Sequence, residues 1–146
     1  MTETAERERA LRAAAVMLKV GTIFRSGKTT TGCNMEGFGA GSAAAAAALA
    51  ELWGGSPAEA GRAVVLALSP TIAVPCTPRV MVAGLCATHI GTAILNGALA
   101  ARLALLTGIP VHVPVDVMIA LAGAVHPLSA KYIVPTVIDY LQPFFK

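Results

Sequence analysis

Two cysteines lie in short stretches rich in glycine or proline, in a chain that is otherwise mostly apolar. Cys33 is followed three residues later by Glu36 and then by a glycine-rich run that ends at Ser42, directly before six consecutive alanines. Cys76 lies between two prolines, and Arg79 follows it three residues later. Thiolates bind metals or act as nucleophiles, a carboxylate can move a proton, and a guanidinium can bind a carboxylate through two parallel hydrogen bonds. The two stretches therefore indicate a candidate site.

Each of these residues also has a purely structural interpretation. Free cysteine is among the most frequently buried residue types, so Cys33 and Cys76 are metal ligands, nucleophiles or core residues. Glu36 either stabilises the dipole of the following helix or handles a proton. Arg79 is either a carboxylate clamp or a surface charge. The third cysteine, Cys86, lies within a predicted helix among small apolar residues and is interpreted as a core residue.

The histidines and a near-match to a nucleotide-binding loop carry less weight. The cysteine and histidine spacings contain no structural zinc pattern. His89, His112 and His126 stand apart and are interpreted as hydrogen-bonded structural residues, although His89 shares a helix face with Cys86. In the stretch 21–29, five residues rather than four separate the two glycines, and no strand precedes them. We therefore reject a phosphate-binding loop.

The alanine-rich segment predicts the helix that positions the first stretch. Alanine has the highest helix propensity and two glycines end the run, so a helix is predicted over 42–53. A helix N-terminus presents unpaired N–H groups and a partial positive charge. Gly41 and Ser42, with the backbone N–H groups of residues 39–42, are therefore predicted to donate hydrogen bonds to an anionic group.

Apolar periodicity predicts further helices and no strands. A capping box formed by Ser56, Pro57 and Glu59 begins one of them. Gly97 is expected to kink or break another, and His126-Pro127 to separate the last two. Residues 20–32 and 107–114 are predicted to be irregular or extended. The predicted helices are 3–19, 57–68, 78 or 79–96, 99–106, 114–124 and 134–145. The expected fold class is all-α, a compact bundle of short helices rich in small residues.

The composition predicts a single domain with little charged surface. The 146 residues are 55% hydrophobic and 13% charged, against about 25% charged in an ordinary globular domain. We therefore expect closely packed helices and a surface partly covered by another chain, either a second copy or a different subunit. The net charge of +3, without basic runs, gives nucleic-acid binding no support. Cysteine usage and a charged N-terminus unlike a signal peptide favour a cytoplasmic location.

The apolar segment 80–106 is long enough to span a bilayer, which is a competing interpretation. It contains Asn96 and Arg102, which are costly in lipid, and it lacks an aromatic belt or a flanking Lys/Arg asymmetry. We therefore favour buried helices in a soluble protein and expect no membrane association.

Three motifs, taken in order, resemble the α domain of iron–sulfur-dependent L-serine dehydratases. They are the Gly-Cys-x-x-Glu stretch at 32–36 leading into the alanines, the Leu-Ala-Glu-Leu-x-Gly-Gly-Ser-Pro stretch at 49–57, and the Val-Pro-Cys-x-x-Arg stretch at 74–79. The resemblance covers about residues 26–124 and fits the second half of that domain. Residues 1–146 are thus predicted to form one domain, with an N-terminal helix and linker over 1–25.

The resemblance implies a lyase. Family members hold a [4Fe–4S] cluster by three cysteines and eliminate water, or hydrogen sulfide, from a small amino acid to give a 2-oxo acid and ammonia. By position in the motifs, Cys33 and Cys76 would be cluster ligands. In such a lyase we expect Glu36 and Arg79 to be catalytic, Glu36 by handling a proton or supporting the site and Arg79 by clamping a carboxylate. Arg79 would also bind the substrate, together with the two residues at the start of the alanine helix, Gly41 and Ser42.

One ligand of the family pattern is missing from this chain. Leu68-Ser69-Pro70 stands where the family has Cys-Asp-Pro. Cys86 would have to replace that ligand, but it lies about 15 Å from Cys76 along a continuous helix, and at this distance we do not expect it to reach the cluster. The first half of the α domain and the family's β domain also have no counterpart here. Either a partner supplies them or the chain is a shortened homologue with changed or lost chemistry, and the low charge content favours a partner, which is a different subunit or a second copy. The competing hypothesis is a non-catalytic structural subunit of a hetero-oligomeric enzyme, with vestigial cysteines.

Overall fold

A computed structural model of the chain describes residues 3–26, 38–72, 74 and 85–144, with the backbone alone for 85, 86, 129 and 130. These residues form helices and no strand, so the predicted all-α class is confirmed. The helices are α1 (Glu3–Arg25), α2 (Gly41–Leu52), α3 (Pro57–Leu68), α4 (Leu85–Leu106) and α5 (Val115–Leu141), with a 3₁₀ turn at Gln142–Phe144.

The alanine-rich helix α2 is the centre of the bundle. It packs against α1, α3 and α4, and its alanines from 43 to 48 are all buried. Where α2, α3 and α4 meet, the core consists of seven alanines, which let the helix backbones approach closely: Ala46, Ala50, Ala63, Ala67, Ala100, Ala101 and Ala104. Larger side chains fill the second part of the core, where Val64, Leu68 and Ile119 pack against α2. The predicted small-residue packing is therefore present.

The turn between α2 and α3 follows the predicted signals. Gly54 has a positive φ of 87°, and its N–H donates to the Glu51 carbonyl at 3.0 Å, which ends α2. The Glu59 carboxylate accepts a hydrogen bond from the Ser56 N–H at 2.7 Å, and the Ser56 hydroxyl accepts one from the Glu59 N–H at 3.3 Å. The predicted capping box is thus confirmed, and the hydrogen bonds from Ser56 lower the pKa of Glu59.

Helix α1 is longer than predicted. It continues to Arg25, so the prediction of an irregular segment beginning at residue 20 is wrong for residues 20–25. Val16, Val20 and Phe24 recur at helical spacing and pack against the core cluster, which favours helix in spite of Gly21. The rest of the predicted irregular segment, residues 27–32, lies outside the described residues.

Neither predicted break in the C-terminal half interrupts its helix. Helix α4 continues without interruption through Gly97. Helix α5 continues through Pro127, and its two parts, Val115–Leu128 and Lys131–Phe144, are inclined by 45°. A proline inside a helix removes one backbone hydrogen bond and bends the axis, so His126-Pro127 marks a bend rather than an end.

The segment between α4 and α5 lacks regular structure, as predicted for 107–114. Arg62 of α3 holds its first part, because one guanidinium nitrogen donates to the carbonyls of Thr107 at 3.1 Å and Ile109 at 3.0 Å.

By length and composition alone, α4 could cross a membrane. Its apolar window, Ala87–Leu106, is 28% buried. The two inclined parts of α5 would make a second candidate if they were counted as one span, and the described residues contain no others. The core helix of a soluble protein meets the same criterion, so the expectation of no membrane association stays a prediction.

A hydrogen bond between α3 and α4 provides the first test of the packing. The Asn96 amide donates to the Ala67 carbonyl at 2.9 Å, near the end of α3. We expect Asn96→Ala to lower the free energy of unfolding by about 1–2 kcal/mol, since the partly buried carbonyl loses this donor. Urea denaturation measures the change.

The matched control for Asn96→Ala is Thr22→Ala. The Thr22 hydroxyl donates to a carbonyl of its own helix, Leu18, at 2.7 Å and is exposed. Its loss is expected to change the free energy of unfolding by less than about 0.5 kcal/mol. Equal losses in the two variants would mean that the Asn96 bond contributes nothing to the packing of α3 on α4.

Candidate functional site

The two cysteine-containing stretches lead to the same end of the bundle. Phe38 directly follows the stretch that contains Cys33 and Glu36, and its ring stacks on His89 with the ring centroids 6.3 Å apart and the planes inclined by 20°. His89 lies in the first turns of α4, which follows the stretch with Cys76 and Arg79. The described ends of both stretches therefore meet at this contact.

Helices α2 and α4 run in the same direction, so both N-termini point to that end. Phe38 before α2 is close to His89, and Ala45 and Ala46 further along α2 lie against Gly97 further along α4. Since the N-terminus of a helix carries a partial positive charge, the parallel pair favours a negative group at this end.

The N-terminus of α2 differs from the simple helix start that the sequence predicted. A π-helical turn over 38–40 precedes the α-helix, and Ala40 already has helical backbone angles, φ −65° and ψ −36°. Ala40, at the N-cap position of the α-helix, makes no side-chain capping hydrogen bond. The helical backbone therefore begins no later than Phe38, upstream of the Gly41–Ser42 pair. Such π-turns occur frequently at functional sites.

The two predicted substrate-binding residues lie in different surroundings. Ser42 is completely buried, and among the described residues its hydroxyl has no hydrogen-bond partner. A serine in a helix commonly donates to the carbonyl four residues earlier, and an unsatisfied buried hydroxyl costs about 1–3 kcal/mol. Gly41 is only half-buried and faces a groove. The assignment of both residues to substrate binding stays a prediction.

The groove beside Gly41 lies between α1 and α2 and has a volume of about 630 Å³. Met17, Gly21 and Arg25, spaced one helical turn apart on α1, form part of its wall, and Ala40 of α2 lies opposite. Sequence reasoning missed this contribution of α1, because it ended the helix at residue 19. The four-residue spacing of Met17, Gly21 and Arg25 places them on one face of a helix. A prediction that extended α1 to residue 25 would therefore have identified this face.

Four predicted site residues, Cys33, Glu36, Cys76 and Arg79, lie outside the described residues. Their roles stay predictions. In the part of the chain that the structure describes, no group of three or more His, Cys, Asp or Glu side chains could hold a metal ion. The described residues therefore do not form a metal site by themselves.

Cys86 is the second residue of the described part of α4, and its backbone lies one helical turn before His89. The objection to Cys86 as a ligand assumed a continuous helix from residue 78 or 79. Residues 75–84 lie outside the described residues, so the structure leaves that objection untested.

The histidines have three different environments. His89 is half-buried against Phe38, a pairing that the sequence did not predict. His112 is exposed in the segment between α4 and α5, and His126 is fully buried at the bend of α5. His89 is therefore the histidine that lies at the candidate site.

These features describe an all-α domain in which the N-terminal ends of α2 and α4, each of which follows a cysteine-containing stretch in the sequence, lie at one end. The model of the serine dehydratase alpha chain family matches residues 5–132, and the chain belongs to this family. The match extends further than the motifs, which covered 26–124, and it includes most of α1 and the wall of the groove. No curated protein and no solved structure matches the chain.

Proposed function

We propose that this chain is a component of a serine-dehydratase-like lyase that eliminates water, or hydrogen sulfide, from a small amino acid and yields a 2-oxo acid and ammonia. Membership of the serine dehydratase alpha chain family supports a lyase component. The observation that carries the proposal is the stacking of Phe38 on His89, because it brings together the described ends of the two cysteine-containing stretches.

The proposed roles follow from the chemistry of the side chains. The Arg79 guanidinium binds the substrate carboxylate through two parallel hydrogen bonds. Glu36 takes or supplies a proton during the elimination. Gly41, half-buried beside the groove, donates a hydrogen bond to a negative group at the N-terminal end of α2, where the dipoles of α2 and α4 both favour negative charge.

The family is generally iron–sulfur dependent, and we propose a [4Fe–4S] cluster with Cys33 and Cys76 as ligands. When bound, the cluster supplies a Lewis-acidic iron that polarises the leaving group of the substrate. The third ligand comes either from Cys86 or from a partner. The position of Cys86 favours it over a partner as the source of the third ligand, since its backbone lies one helical turn from the His89–Phe38 contact.

The proposed partner is a second copy or a subunit that carries the remaining part of the family domain. The name alpha chain and the large apolar surface of this chain support such a partner. We further propose a cytoplasmic protein that binds neither nucleic acid nor membrane.

Iron and acid-labile sulfide in anaerobically purified protein test the cluster. We expect both in near-stoichiometric amounts in the unchanged chain, and their loss in Cys33→Ala and in Cys76→Ala, because each substitution removes a thiolate ligand. Circular dichroism and thermal unfolding are the controls for folding.

Cys86→Ala then separates the two sources of the third ligand. Loss of iron with the fold retained assigns the ligand to Cys86, and full retention of iron assigns it to a partner. Absence of iron and sulfide from the unchanged chain, even after anaerobic reconstitution with its partner, would overturn the cluster.

The second candidate function is a non-catalytic structural subunit, and one observation favours it. Leu68, at the place of the family's missing ligand, is completely buried in the core cluster. If the structural role is correct, Cys33→Ala leaves the activity of the assembled enzyme unchanged. If the chain is catalytic, the same substitution abolishes that activity.

A further inference from the structure

Helix α4 has two faces with the same residue spacing. Ala93, Gly97, Ala100 and Ala104 are buried on the side that packs against α2 and α3. The opposite side is exposed, and we call it the outer α4 face: Thr88, Thr92, Leu95, Leu99, Arg102 and Leu106. On both faces the steps alternate between four and three residues, which is the repeat of a seam between two packed helices.

The outer α4 face is too apolar for a surface that stays in water. Leu95, Leu99 and Leu106 are 72%, 57% and 78% exposed. Contiguous apolar patches of this kind mark interaction surfaces. A second helix can pack along a face with this spacing.

We propose that the outer α4 face packs against the same face of a second copy, with the two helices antiparallel and related by a two-fold axis. In a two-fold dimer one surface must be complementary to itself. The N-terminal half of the face carries the small residues Thr88 and Thr92, and the C-terminal half carries larger ones. An antiparallel pair places the small residues Thr88 and Thr92 opposite larger ones at both ends of the helix and brings Leu95 and Leu99 together at its centre. A parallel pair would place large against large at one end and leave a gap at the other.

The charge on the face selects the same arrangement. Arg102 is the only Asp, Glu, Lys or Arg residue of α4. A parallel dimer would place two Arg102 side chains opposite each other, which is unfavourable. The antiparallel dimer places each Arg102 opposite Thr92 of the partner copy and separates the two arginines by ten residues, about 15 Å along the axis.

Arg102 needs no acidic partner at this interface. Its guanidinium lies over the ring of Trp53, 5.5 Å from the ring centroid, which stabilises a cation. An interface between two copies therefore needs no acidic residue to stabilise Arg102, and the face shows no feature that requires a negatively charged partner protein.

The dimer also has a consequence for the candidate site. In the antiparallel pair, Leu106 of the partner copy lies against Thr88, the residue before His89. The second copy therefore lies next to the first turns of α4, where His89 stacks on Phe38. The dimer does not depend on the lyase proposal, and its test requires no enzyme activity.

Analytical ultracentrifugation of the full chain tests the interface. We expect a reversible dimer and a dissociation constant at least about tenfold higher for Leu99→Glu, because two copies of the substitution place charge in the apolar seam. The matched control is Leu128→Glu on α5. The exposed fractions of these two leucines are 57% and 55%. Leu128→Glu should change the dissociation constant by less than about twofold.

Three results would overturn the interface. They are a monomer at all concentrations, an equal effect of the two leucine substitutions, and a chain that stays in solution only with detergent, as a membrane-inserted α4 would require. Dimerisation that appears only on addition of a different subunit would equally reject a second copy as the occupant.

A second pair of variants tests the antiparallel direction. Thr92→Glu should lower the dissociation constant roughly fivefold at low salt, since it forms two symmetric ion pairs with Arg102 of the partner copy, and high salt should remove the gain. Thr88→Glu faces Leu106 of the partner copy and should not tighten the dimer. Weaker association of Thr92→Glu would show that the helices are parallel, because the new carboxylates would then face each other.

Discussion

Gly97→Ala lowers the free energy of unfolding by about 2 kcal/mol or more, whereas Gly91→Ala in the same helix raises it by up to about 1 kcal/mol. A Cβ at Gly97 would lie 2.7 Å from the Ala45 Cβ and 3.0 Å from both the Ala46 nitrogen and the Ser42 carbonyl oxygen. None of these atoms ends a flexible side chain, so α2 and α4 would have to separate.

Gly91 is the matched control because a Cβ there meets nothing within 4 Å. The substitution then only improves the helix propensity of its position. Urea denaturation of both variants, with comparison of the m-values, measures the two effects. Stabilisation by both substitutions would show that α4 does not approach α2 as closely as the Gly97 contacts require.

The same contact connects the fold to the candidate site. The Ser42 carbonyl that limits the space at Gly97 belongs to the first turn of α2, one turn after Phe38. Moving α4 away from α2 therefore displaces His89 from Phe38. We expect the ring-proton NMR signals of His89 to shift in Gly97→Ala and not in Gly91→Ala.

The helices whose ends carry local signals could be predicted from the sequence. The alanine run with Gly54 behind it defined α2 to within one residue, and the Ser56–Glu59 capping box defined the start of α3. These signals depend on groups a few residues apart, which the sequence displays directly.

The features that depend on tertiary packing could not be predicted. Gly97 was expected to kink or break α4, but it permits the approach of α2, and a sequence does not distinguish these uses of a glycine. Val20 and Phe24 keep α1 helical because they contact the core. The pairing of Phe38 with His89 spans 51 residues and follows from the parallel direction of α2 and α4, a property of topology rather than of any motif.

Arg79→Lys is expected to reduce kcat/KM for the elimination roughly 10- to 100-fold, mainly through a higher KM, while the protein keeps its iron. Lysine retains the positive charge but cannot form two parallel hydrogen bonds to a carboxylate, and a hydrogen bond to a charged group contributes about 1.5–3 kcal/mol. The carboxylate is bound in both the ground state and the transition state, so KM carries most of the loss. Steady-state kinetics of the assembled enzyme, with amino-acid concentration varied, measure it.

The matched control for this prediction is Arg12→Lys. Arg12 lies on α1 and contacts Glu51 near the C-terminal end of α2, away from the candidate site. Arg12 pairs with Glu8 at 3.4 Å and Glu51 at 3.2 Å on the surface, and a lysine can keep these pairs, so both kinetic constants should stay within about twofold. Unchanged constants in Arg79→Lys would make Arg79 a surface charge and reject the carboxylate clamp. Loss of iron in Arg79→Lys would instead indicate that Arg79 helps to hold the cluster. A raised KM with iron retained is the result that only a substrate contact produces, and it would also reject a purely structural subunit.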